Sequence, residues 1–296
     1  MKNTIFTGTA TAIITPFNAD GSVNYDELGR IIDDQIANST DAIVICGTTG
    51  ESATMTDEEH IECIRYAVKH IAGRVPVIAG TGSNDTRYAV ALSKEAEAAG
   101  ADALLLVTPY YNKTTQKGLI AHFKAVADAV NIPIVLYNVP SRTGMNMDVA
   151  TIKELAQHKN IAAVKEASGN ISYVAKLIAE CGDNIDVYSG NDDMTVPVMS
   201  LGGKGVISVA SHVIPKQMHD MVQCCLDNNF AEAMKMQIEY LDICNDLFIE
   251  VNPIPVKEAM NMLGWNAGSC RLPLVEMTDE HKAKLRATLA KHGLIK

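Results

Sequence analysis

Short apolar runs alternate along the chain with longer amphipathic stretches. The apolar runs are continuous rather than interrupted by polar residues, which is typical of strands that helices cover on both faces. Eight runs fit this description and predict strands at Thr9–Thr15, Ala42–Cys46, Val75–Ala79, Ala103–Val107, Ile134–Tyr137, Ile161–Lys165, Asp186–Ser189 and Gly205–Val209.

Apolar residues recur at helical spacing between these runs. Helix start and stop signals bound the clearest stretches, which predict helices at Asp57–Ile71, Thr86–Ala99, Asp148–Gln157 and Asn170–Glu180. Eight strand-then-helix units within residues 1–229 predict a (β/α)8 TIM barrel. A doubly wound open sheet is the alternative, but it usually has fewer strands, and its glycine fingerprint after the first strand is missing here.

The last part of the chain is helical. Phe230–Phe248 repeats apolar residues at helical intervals, Pro253-Ile254-Pro255 interrupts the pattern, and Val256–Leu263 resumes it before a final helix that reaches about Lys291. No linker rich in proline or serine precedes this part. Residues 230–296 are therefore predicted to form a helical extension packed on the barrel rather than a separate domain.

The charge of the chain excludes one class of function. The net charge is −10, whereas binding of nucleic-acid phosphates requires clustered Lys and Arg. No nucleic-acid partner is therefore expected. An anionic substrate would have to be held by local cations and backbone N–H groups, because the protein as a whole does not attract it.

The sequence also gives expectations for the cellular compartment and for metal binding. No apolar stretch approaches the length of a membrane span, and Met1-Lys2-Asn3-Thr4 does not lead into a signal-peptide core, so we expect a cytoplasmic protein that does not insert into a membrane. Seven cysteines and eight histidines show no metal-ligand spacing. We expect reduced thiols and no metal site.

Residue types that carry chemistry collect where the predicted strands end. This is the edge of a TIM barrel that holds the active site. The strand-end segments are Gly47-Thr48-Thr49-Gly50, Thr108-Pro109-Tyr110-Tyr111-Asn112, Tyr137-Asn138-Val139-Pro140-Ser141-Arg142, Lys165-Glu166, Ser189-Gly190-Asn191 and Ile207-Ser208. Each alone has an ordinary explanation as a tight turn, a packed tyrosine or a surface charge, and it is their conjunction that points to a site.

Lys165 is the most informative of these residues. A lone strand-end lysine more often extends its amine to solvent. A partly desolvated amine, however, has a lowered pKa and forms Schiff bases with carbonyl substrates. With a tyrosine hydroxyl, a threonine pair and an arginine facing the same opening, the sequence predicts Schiff-base chemistry on an α-keto acid without an external cofactor.

At this point the chain resembles a known family. The segments that carry the resemblance are Gly47-Thr48-Thr49-Gly50-Glu51-Ser52, Val107-Thr108-Pro109-Tyr110-Tyr111-Asn112, Leu136-Tyr137-Asn138-Val139-Pro140-Ser141-Arg142-Thr143-Gly144, Val164-Lys165-Glu166-Ala167-Ser168-Gly169 and Asn252-Pro253-Ile254-Pro255-Val256-Lys257. They are similar to the dihydrodipicolinate synthase family, and the similarity covers essentially the whole chain. The lysine and tyrosine motifs are shared with the wider pyruvate-aldolase superfamily, so they specify chemistry more than substrate.

The resemblance implies catalytic roles. Lys165 would form an imine with pyruvate, which tautomerises to an enamine and adds to the aldehyde of L-aspartate 4-semialdehyde, giving 4-hydroxy-tetrahydrodipicolinate in the diaminopimelate and lysine pathway. Tyr137, Thr49 and Tyr111 would form a proton relay, with Tyr111 reaching in from a neighbouring subunit. Members of the family are usually homotetramers built from tight dimers.

The resemblance also implies a substrate-binding set. Arg142 would bind the carboxylate of the semialdehyde, and Thr48 and Thr49 would hold the carboxylate of pyruvate. The backbone around Gly190 and Ile207 would line the pocket.

The regulatory region of the family is altered in this chain. Ser52, Ala53, His60, Asn84 and Tyr110 match positions that line a lysine-binding site in lysine-sensitive members. Tyr88, however, stands where those members carry a glutamate that pairs with the ligand's amino group, and Asp57 stands where many have another residue. A neutral phenol cannot replace that charge-assisted bond, so we expect weak or no inhibition by lysine.

Two alternatives remain open on the sequence. Another enzyme of the superfamily, such as N-acetylneuraminate lyase or another sugar-acid aldolase, would keep Lys165 and Tyr137 but normally lacks Arg142 and Tyr111 in this setting. A catalytically silent barrel that binds a keto acid as a sensor is the rival from a different class, and the intact lysine, tyrosine and threonine pair argues against it.

Overall fold

The computed structural model describes residues 4–182 and 184–296. Eight parallel strands close a barrel in sequence order, as predicted. The strands are β1 (Gly8–Ala12), β2 (Ala42–Ile45), β3 (Val77–Gly80), β4 (Ala103–Val107), β5 (Ile134–Asn138), β6 (Ile161–Glu166), β7 (Asp186–Ser189) and β8 (Gly205–Ser208). Only β1 departs by more than two residues, ending at Ala12 instead of Thr15. The amide of Ile14 donates to Nε2 of His212 at 3.0 Å rather than to a neighbouring strand, so the ladder stops there.

Side chains on the strands alternate between the barrel interior and the layer beneath the helices. The interior cluster includes Ala10, Ala12, Val44, Ile78, Leu105, Val135, Tyr137, Ala163, Tyr188 and Ile207. In the register of the sheet, Lys165 lies between Tyr137 of β5 and Tyr188 of β7. Because Ala163 belongs to the interior cluster, Lys165 two residues later faces the same side, whereas the neighbouring Glu166 faces the other.

Helices cover the outside of the barrel. They are α1 (Tyr25–Ala37), α2 (Asp57–Ile71), α3 (Thr86–Ala98), α4 (Gln116–Ala127), α5 (Pro140–Thr143), α6 (Val149–Leu155), α7 (Ile171–Cys181), α8 (Thr195–Ser200) and α9 (Pro215–Leu226). The prediction for α2 is confirmed at both ends. Thr56 and Glu59 form a reciprocal capping box that fixes its start. The helix predicted over Asp148–Gln157 is real but shorter, and it corresponds to α6.

The C-terminal extension consists of α10 (Phe230–Glu239), α11 (Leu241–Asp246), α12 (Ile254–Met262) and α13 (Asp279–Lys291). The helical pattern over Phe230–Phe248 is divided between α10 and α11, because the backbone leaves helical geometry at Tyr240. The turn brings Asp242 of α11 onto Lys291 and His292, which lie far away in sequence. Pro255 does not interrupt the helical pattern of α12. It occupies the first turn of α12, where its missing N–H costs no helical hydrogen bond.

The extension packs on the barrel helices. α10 contacts α8 and α9, while α11 and α12 contact α13. The predicted division between residues 229 and 230 falls in the loop between α9 and α10. Within residues 4–182 and 184–296 no helix is both long and apolar enough to cross a membrane. All seven cysteines are free thiols.

Candidate active site

A cavity of about 690 Å³ opens at the C-terminal end of the barrel. Six of the residues predicted from the sequence line it, namely Thr48, Thr49, Tyr137, Arg142, Lys165 and Gly190. They come from the loop after β2, from β5 and the turn that follows it, from β6, and from the loop after β7. The parallel strands bring their carboxyl ends to one mouth, which is why residues so far apart in sequence meet there.

Lys165 is a buried amine that faces this cavity. Its side chain is 6% exposed, and Nζ lies 4.4 Å from the centroid of the Tyr137 ring. Burial lowers the pKa of Lys165 to about 8; the charge of Asp192 opposes this shift and the charge of Arg142 adds to it. Among the described residues Nζ has no hydrogen-bond or ion-pair partner. About a tenth of the amine is therefore unprotonated and nucleophilic at pH 7.

Tyr137 is held against the threonine loop. Burial raises the pKa of its phenol to about 12, and a hydrogen bond with the Thr48 hydroxyl opposes the shift. Thr48 is thus the threonine that bonds to Tyr137, and the part of Thr49 in the relay stays a prediction. Oγ1 of Thr49 instead accepts a hydrogen bond from Nδ2 of Asn252 at 3.0 Å. A protonated phenol next to a hydroxyl can pass a proton to and from a bound substrate.

Arg142 stands on α5 at the edge of the same cavity. Its Nη2 donates to the backbone oxygen of Asn252 at 3.0 Å. Asn252 thus contacts both Arg142 and Thr49, and it is 5% exposed. Its role was not predicted, although the segment that begins with it is part of the family resemblance. A guanidinium at the cavity mouth is suited to a substrate carboxylate, since it binds both oxygens at once.

Gly190 and Ile207 differ in how they contribute. A side chain at Gly190 would place Cβ 3.1 Å from Cε of Lys165 and 2.7 Å from Cβ of Ala167, so only glycine leaves the lysine room. Ile207 is 1% exposed and belongs to the barrel interior rather than to the cavity wall. Val209, two residues further on, lines the cavity instead.

Tyr111 lies outside the cavity of its own chain. It is 92% exposed and has a positive φ of 69°, a strained conformation for a bulky residue. Within this protomer it is not brought together with Tyr137. Its exposure is compatible with the predicted insertion into a neighbouring subunit, which stays a prediction.

A buried ionic network anchors the threonine loop to the C-terminal extension. Nζ of Lys257 contacts Oε1 of Glu51 at 2.9 Å, and both side chains are almost fully buried, at 2% and 1% exposed. Nζ also donates to the backbone oxygens of Thr15 and Ser269. Oε2 of Glu51 accepts from the amide of Arg271 at 2.9 Å. This network was not predicted, although Glu51 and Lys257 both lie in segments that carry the family resemblance.

A second cavity of about 500 Å³ adjoins the first and shares Thr48, Tyr137 and Arg142 with it. Of the residues predicted for a lysine site, Ser52, Ala53, His60 and Tyr110 line this second cavity, together with Tyr88. Asn84 does not line it but donates to the backbone oxygen of Tyr110 at 3.1 Å. The Tyr88 hydroxyl donates to Oδ1 of Asp57 at 2.6 Å.

Neither cavity contains a cluster of metal ligands. Within residues 4–182 and 184–296 no group of three or more His, Cys, Asp or Glu side chains is arranged to hold an ion. His60, which lines the second cavity, bonds through Nε2 to the oxygen of Gly80 at 2.8 Å, and burial lowers its pKa. It is thus a neutral structural histidine.

Comparisons with known proteins identify the relatives of this chain. The sequence profile described as "Dihydrodipicolinate synthetase family" matches residues 5–292. The chain belongs to the dihydrodipicolinate synthetase family. It is 56% identical to the 4-hydroxy-tetrahydrodipicolinate synthase of Acetivibrio thermocellus, with 100% of each chain covered. It is also 56% identical to the synthase of Caldicellulosiruptor saccharolyticus, with 98% of each chain covered.

Solved structures agree with this membership. Dihydrodipicolinate synthase from Aquifex aeolicus is 48% identical and superposes with a TM-score of 0.96, covering 98% of this chain and 99% of the other. The synthase of Cyanidioschyzon merolae, solved with lysine bound, is 41% identical with a TM-score of 0.96, covering 99% and 100%. These likenesses confirm the family resemblance and the TIM barrel. They make the chain an enzyme of this family and favour the synthase over a sugar-acid aldolase.

Proposed function

We propose that the protein condenses pyruvate with L-aspartate 4-semialdehyde through a Schiff base on Lys165, giving 4-hydroxy-tetrahydrodipicolinate. The observation that carries this proposal is the state of Lys165. It is a buried amine with a pKa lowered to about 8, and it faces a cavity rather than a carboxylate partner. The names of the relatives at 56% identity support the same reaction.

The first step joins the amine to the ketone of pyruvate. The nitrogen of Lys165 bonds to the ketone carbon, the oxygen leaves as water with the uptake of one proton, and an iminium ion results. Loss of a methyl proton gives the enamine, whose carbon attacks the aldehyde of the semialdehyde and restores an iminium. The semialdehyde's own amino group then attacks the iminium carbon, which closes the ring and releases the Lys165 amine. Tyr137 and Thr48 lie where a hydroxyl pair can move these protons, because they hydrogen-bond to each other at the cavity wall.

Two groups are assigned to the substrate carboxylates. The loop of Thr48 and Thr49 offers hydroxyls and backbone N–H groups to the carboxylate of pyruvate. Arg142 stands at the mouth, where the carboxylate of the second substrate would arrive. No external cofactor enters this scheme, because the electron sink is the iminium itself.

We propose a cytoplasmic homotetramer. The exposed Tyr111 would enter the active site of a neighbouring protomer and complete the relay with Tyr137. Exposed apolar side chains also lie on and next to α7, α8 and α10, of which α8 contacts both of the others. They are Ile171, Leu201, Met234 and Ile238. Two separate apolar surfaces on one protomer suit a dimer of dimers. Sedimentation of the wild-type protein as a monomer would contradict this assembly.

Borohydride trapping tests the Schiff base. Incubation with pyruvate and borohydride, followed by peptide mass mapping, is expected to place the reduced pyruvate adduct on Lys165. Omission of pyruvate is the control. Labelling of another lysine, or none, would contradict the proposal.

A substrate comparison separates this enzyme from its nearest rival. A coupled assay is expected to show turnover with pyruvate and aspartate semialdehyde and none with N-acetylneuraminate. Arg142→Ala should reduce use of the aldehyde far more than trapping of the pyruvate imine. Arg87→Ala, at an arginine with 94% of its side chain exposed, is the matched control and should change neither.

A further inference from the structure

Asp192 is a buried carboxylate that follows β7, two residues after Gly190 of the cavity wall. Asp192 is 3% exposed. The chain reaches it through Gly190, whose amide donates to the backbone oxygen of Glu166 at 2.7 Å and where an added Cβ would lie 3.1 Å from Cε of Lys165. The segment from Gly190 to Asp192 is therefore packed against the lysine.

The carboxylate of Asp192 is fixed by backbone donors that directly follow β8. Its Oδ2 accepts from the amides of Val209 and Ala210 at 3.0 and 2.9 Å, and the Ser208 hydroxyl also bonds to the carboxylate. Oδ1 has no partner among the described residues. A buried carboxylate oxygen without a donor is costly unless positive charge lies near.

Two titratable groups on different elements interact electrostatically with Asp192. Burial raises the pKa of Asp192, whereas its hydrogen bonds and the positive charge of Lys165 on β6 lower it. The second group is the Cys244 thiol on α11, and burial raises the pKa of that thiol, with Asp192 adding to the shift. Arg142 acts on Lys165 in the opposite sense. Glu166, the sequence neighbour of Lys165, accepts from Asn138 and Ser168 on the other face of the strand.

We propose that Asp192 is a positioning residue whose fixed negative charge stabilises the iminium ion on Lys165. This inference rests on the proposed function. The nitrogen of Lys165 is a neutral amine before attack and carries a full positive charge once water has left. A carboxylate already held in place favours that charge without any rearrangement, which is how preorganised electrostatic groups lower a barrier.

The test is Asp192→Asn, compared with the wild type and with Asp193→Asn. The amide keeps the size of the side chain and one oxygen to accept from Val209 and Ala210, but it removes the charge. Asp193 is the matched control, because it carries the same charge on the adjacent residue and is not among the groups that shift Lys165. The readout is pyruvate-dependent borohydride labelling of Lys165 as a function of pH.

In Asp192→Asn the acid limb of labelling should move to lower pH by about half to one unit, because loss of a nearby negative charge disfavours the ammonium. Labelling on the alkaline side should fall, because the iminium loses the same stabilisation. Asp193→Asn should follow the wild type. Asp192→Ser, which keeps a smaller acceptor, serves for the same comparison if the asparagine variant does not fold.

A uniform loss of labelling with an unchanged pH midpoint would overturn the inference, because a carboxylate that only caps backbone amides would produce that result. Absence of labelling in the wild type would instead overturn the proposed function. The two failures are therefore distinguishable in one experiment.

Discussion

Two buried lysines in this protein have similar surroundings but different partners. Lys165 is 6% exposed with Nζ 4.4 Å from the centroid of a tyrosine ring, and Lys257 is 2% exposed with Nζ 4.3 Å from that of Phe17. Burial lowers the pKa of both amines. Lys257, however, contacts the Glu51 carboxylate and two backbone oxygens, whereas Lys165 faces a cavity.

The comparison shows that burial alone does not make a lysine a nucleophile. Each of the three acceptors around Lys257 stabilises its charged form, and Glu51 opposes the effect of burial on its pKa. The amine of Lys257 therefore has a structural role. The amine of Lys165 has no such bonds to lose when it attacks a carbonyl carbon. A desolvated amine without a direct partner is the combination that Schiff-base chemistry requires.

Removing the amine of Lys165 should separate activity from stability. Lys165→Met is expected to lower condensation activity by at least about 10⁴-fold, because the covalent route is lost. The free energy of unfolding should change little, because the gain from removing a buried charge without an ion-pair partner is offset by the loss of a positive charge near Asp192. A urea titration and the coupled assay measure the two effects. A large loss of stability would show that Lys165 is also structural.

The same substitution at Lys257 should have the opposite effect. Lys257→Met is expected to lower the free energy of unfolding by about 3–5 kcal/mol, because Glu51 is left buried without a cation. The double variant Glu51→Leu/Lys257→Met should recover much of that loss, because both charges are gone. Folded Lys257→Met protein should still label at Lys165 with pyruvate and borohydride. Equal stability of the single variant and the wild type would contradict the structural assignment.

The pH dependence of stability should distinguish the two amines further. The pKa of Lys165 is lowered from 10.5 to about 8, so between these values the unfolded chain binds the additional proton. Stability should therefore rise with pH across this window, by up to about 3 kcal/mol from this group. Below pH 8 the lysine is charged in both states and the cost of burying it is fully present. Unfolding curves of the wild type and Lys165→Met at pH 7.5 and 9.5 measure the difference, and parallel behaviour would contradict it.

The barrel could be predicted from the sequence because its signals are local. A strand covered on both faces is a continuous apolar run, and a helix carries its own start signal, as at Thr56 and Glu59. The break at Tyr240 could not be predicted, because it depends on contacts between Asp242 and the distant α13. Propensity favours one long helix there, and tertiary packing overrides it.

The site could be predicted only in part for the same reason. Lys165 and Tyr137 stand on strands, where a period of two fixes which way they face. Thr48 and Thr49 follow Cys46, whose φ is positive at 55°, so no period tells which hydroxyl meets Tyr137. The Glu51–Lys257 pair joins residues 206 positions apart, and nothing local in the sequence links them.

The smallest expected effect is inhibition by free lysine, whose amino group is a third ammonium to compare with Lys165 and Lys257. In the second cavity the Tyr88 hydroxyl already donates to Asp57, and burial raises the pKa of the phenol to about 12, with Asp57 adding to the shift. A neutral phenol engaged in this way offers no anion to a ligand's amino group. We therefore expect millimolar lysine to inhibit the condensation weakly or not at all. Half-inhibition at sub-millimolar lysine would contradict this expectation.

Substitutions at Tyr88 test whether the lack of a carboxylate there explains the weak inhibition by lysine. Tyr88→Glu supplies a carboxylate at the cavity and should strengthen lysine binding by about tenfold or more, since a hydrogen bond to a charged group contributes about 1.5–3 kcal/mol. Tyr88→Phe is the matched control, because it breaks the bond to Asp57 without adding charge, and it should leave the enzyme insensitive. Lysine titration of the three proteins at one pyruvate concentration measures the effect. If Tyr88→Phe gained as much sensitivity as Tyr88→Glu, release of Asp57 rather than the new charge would be the cause.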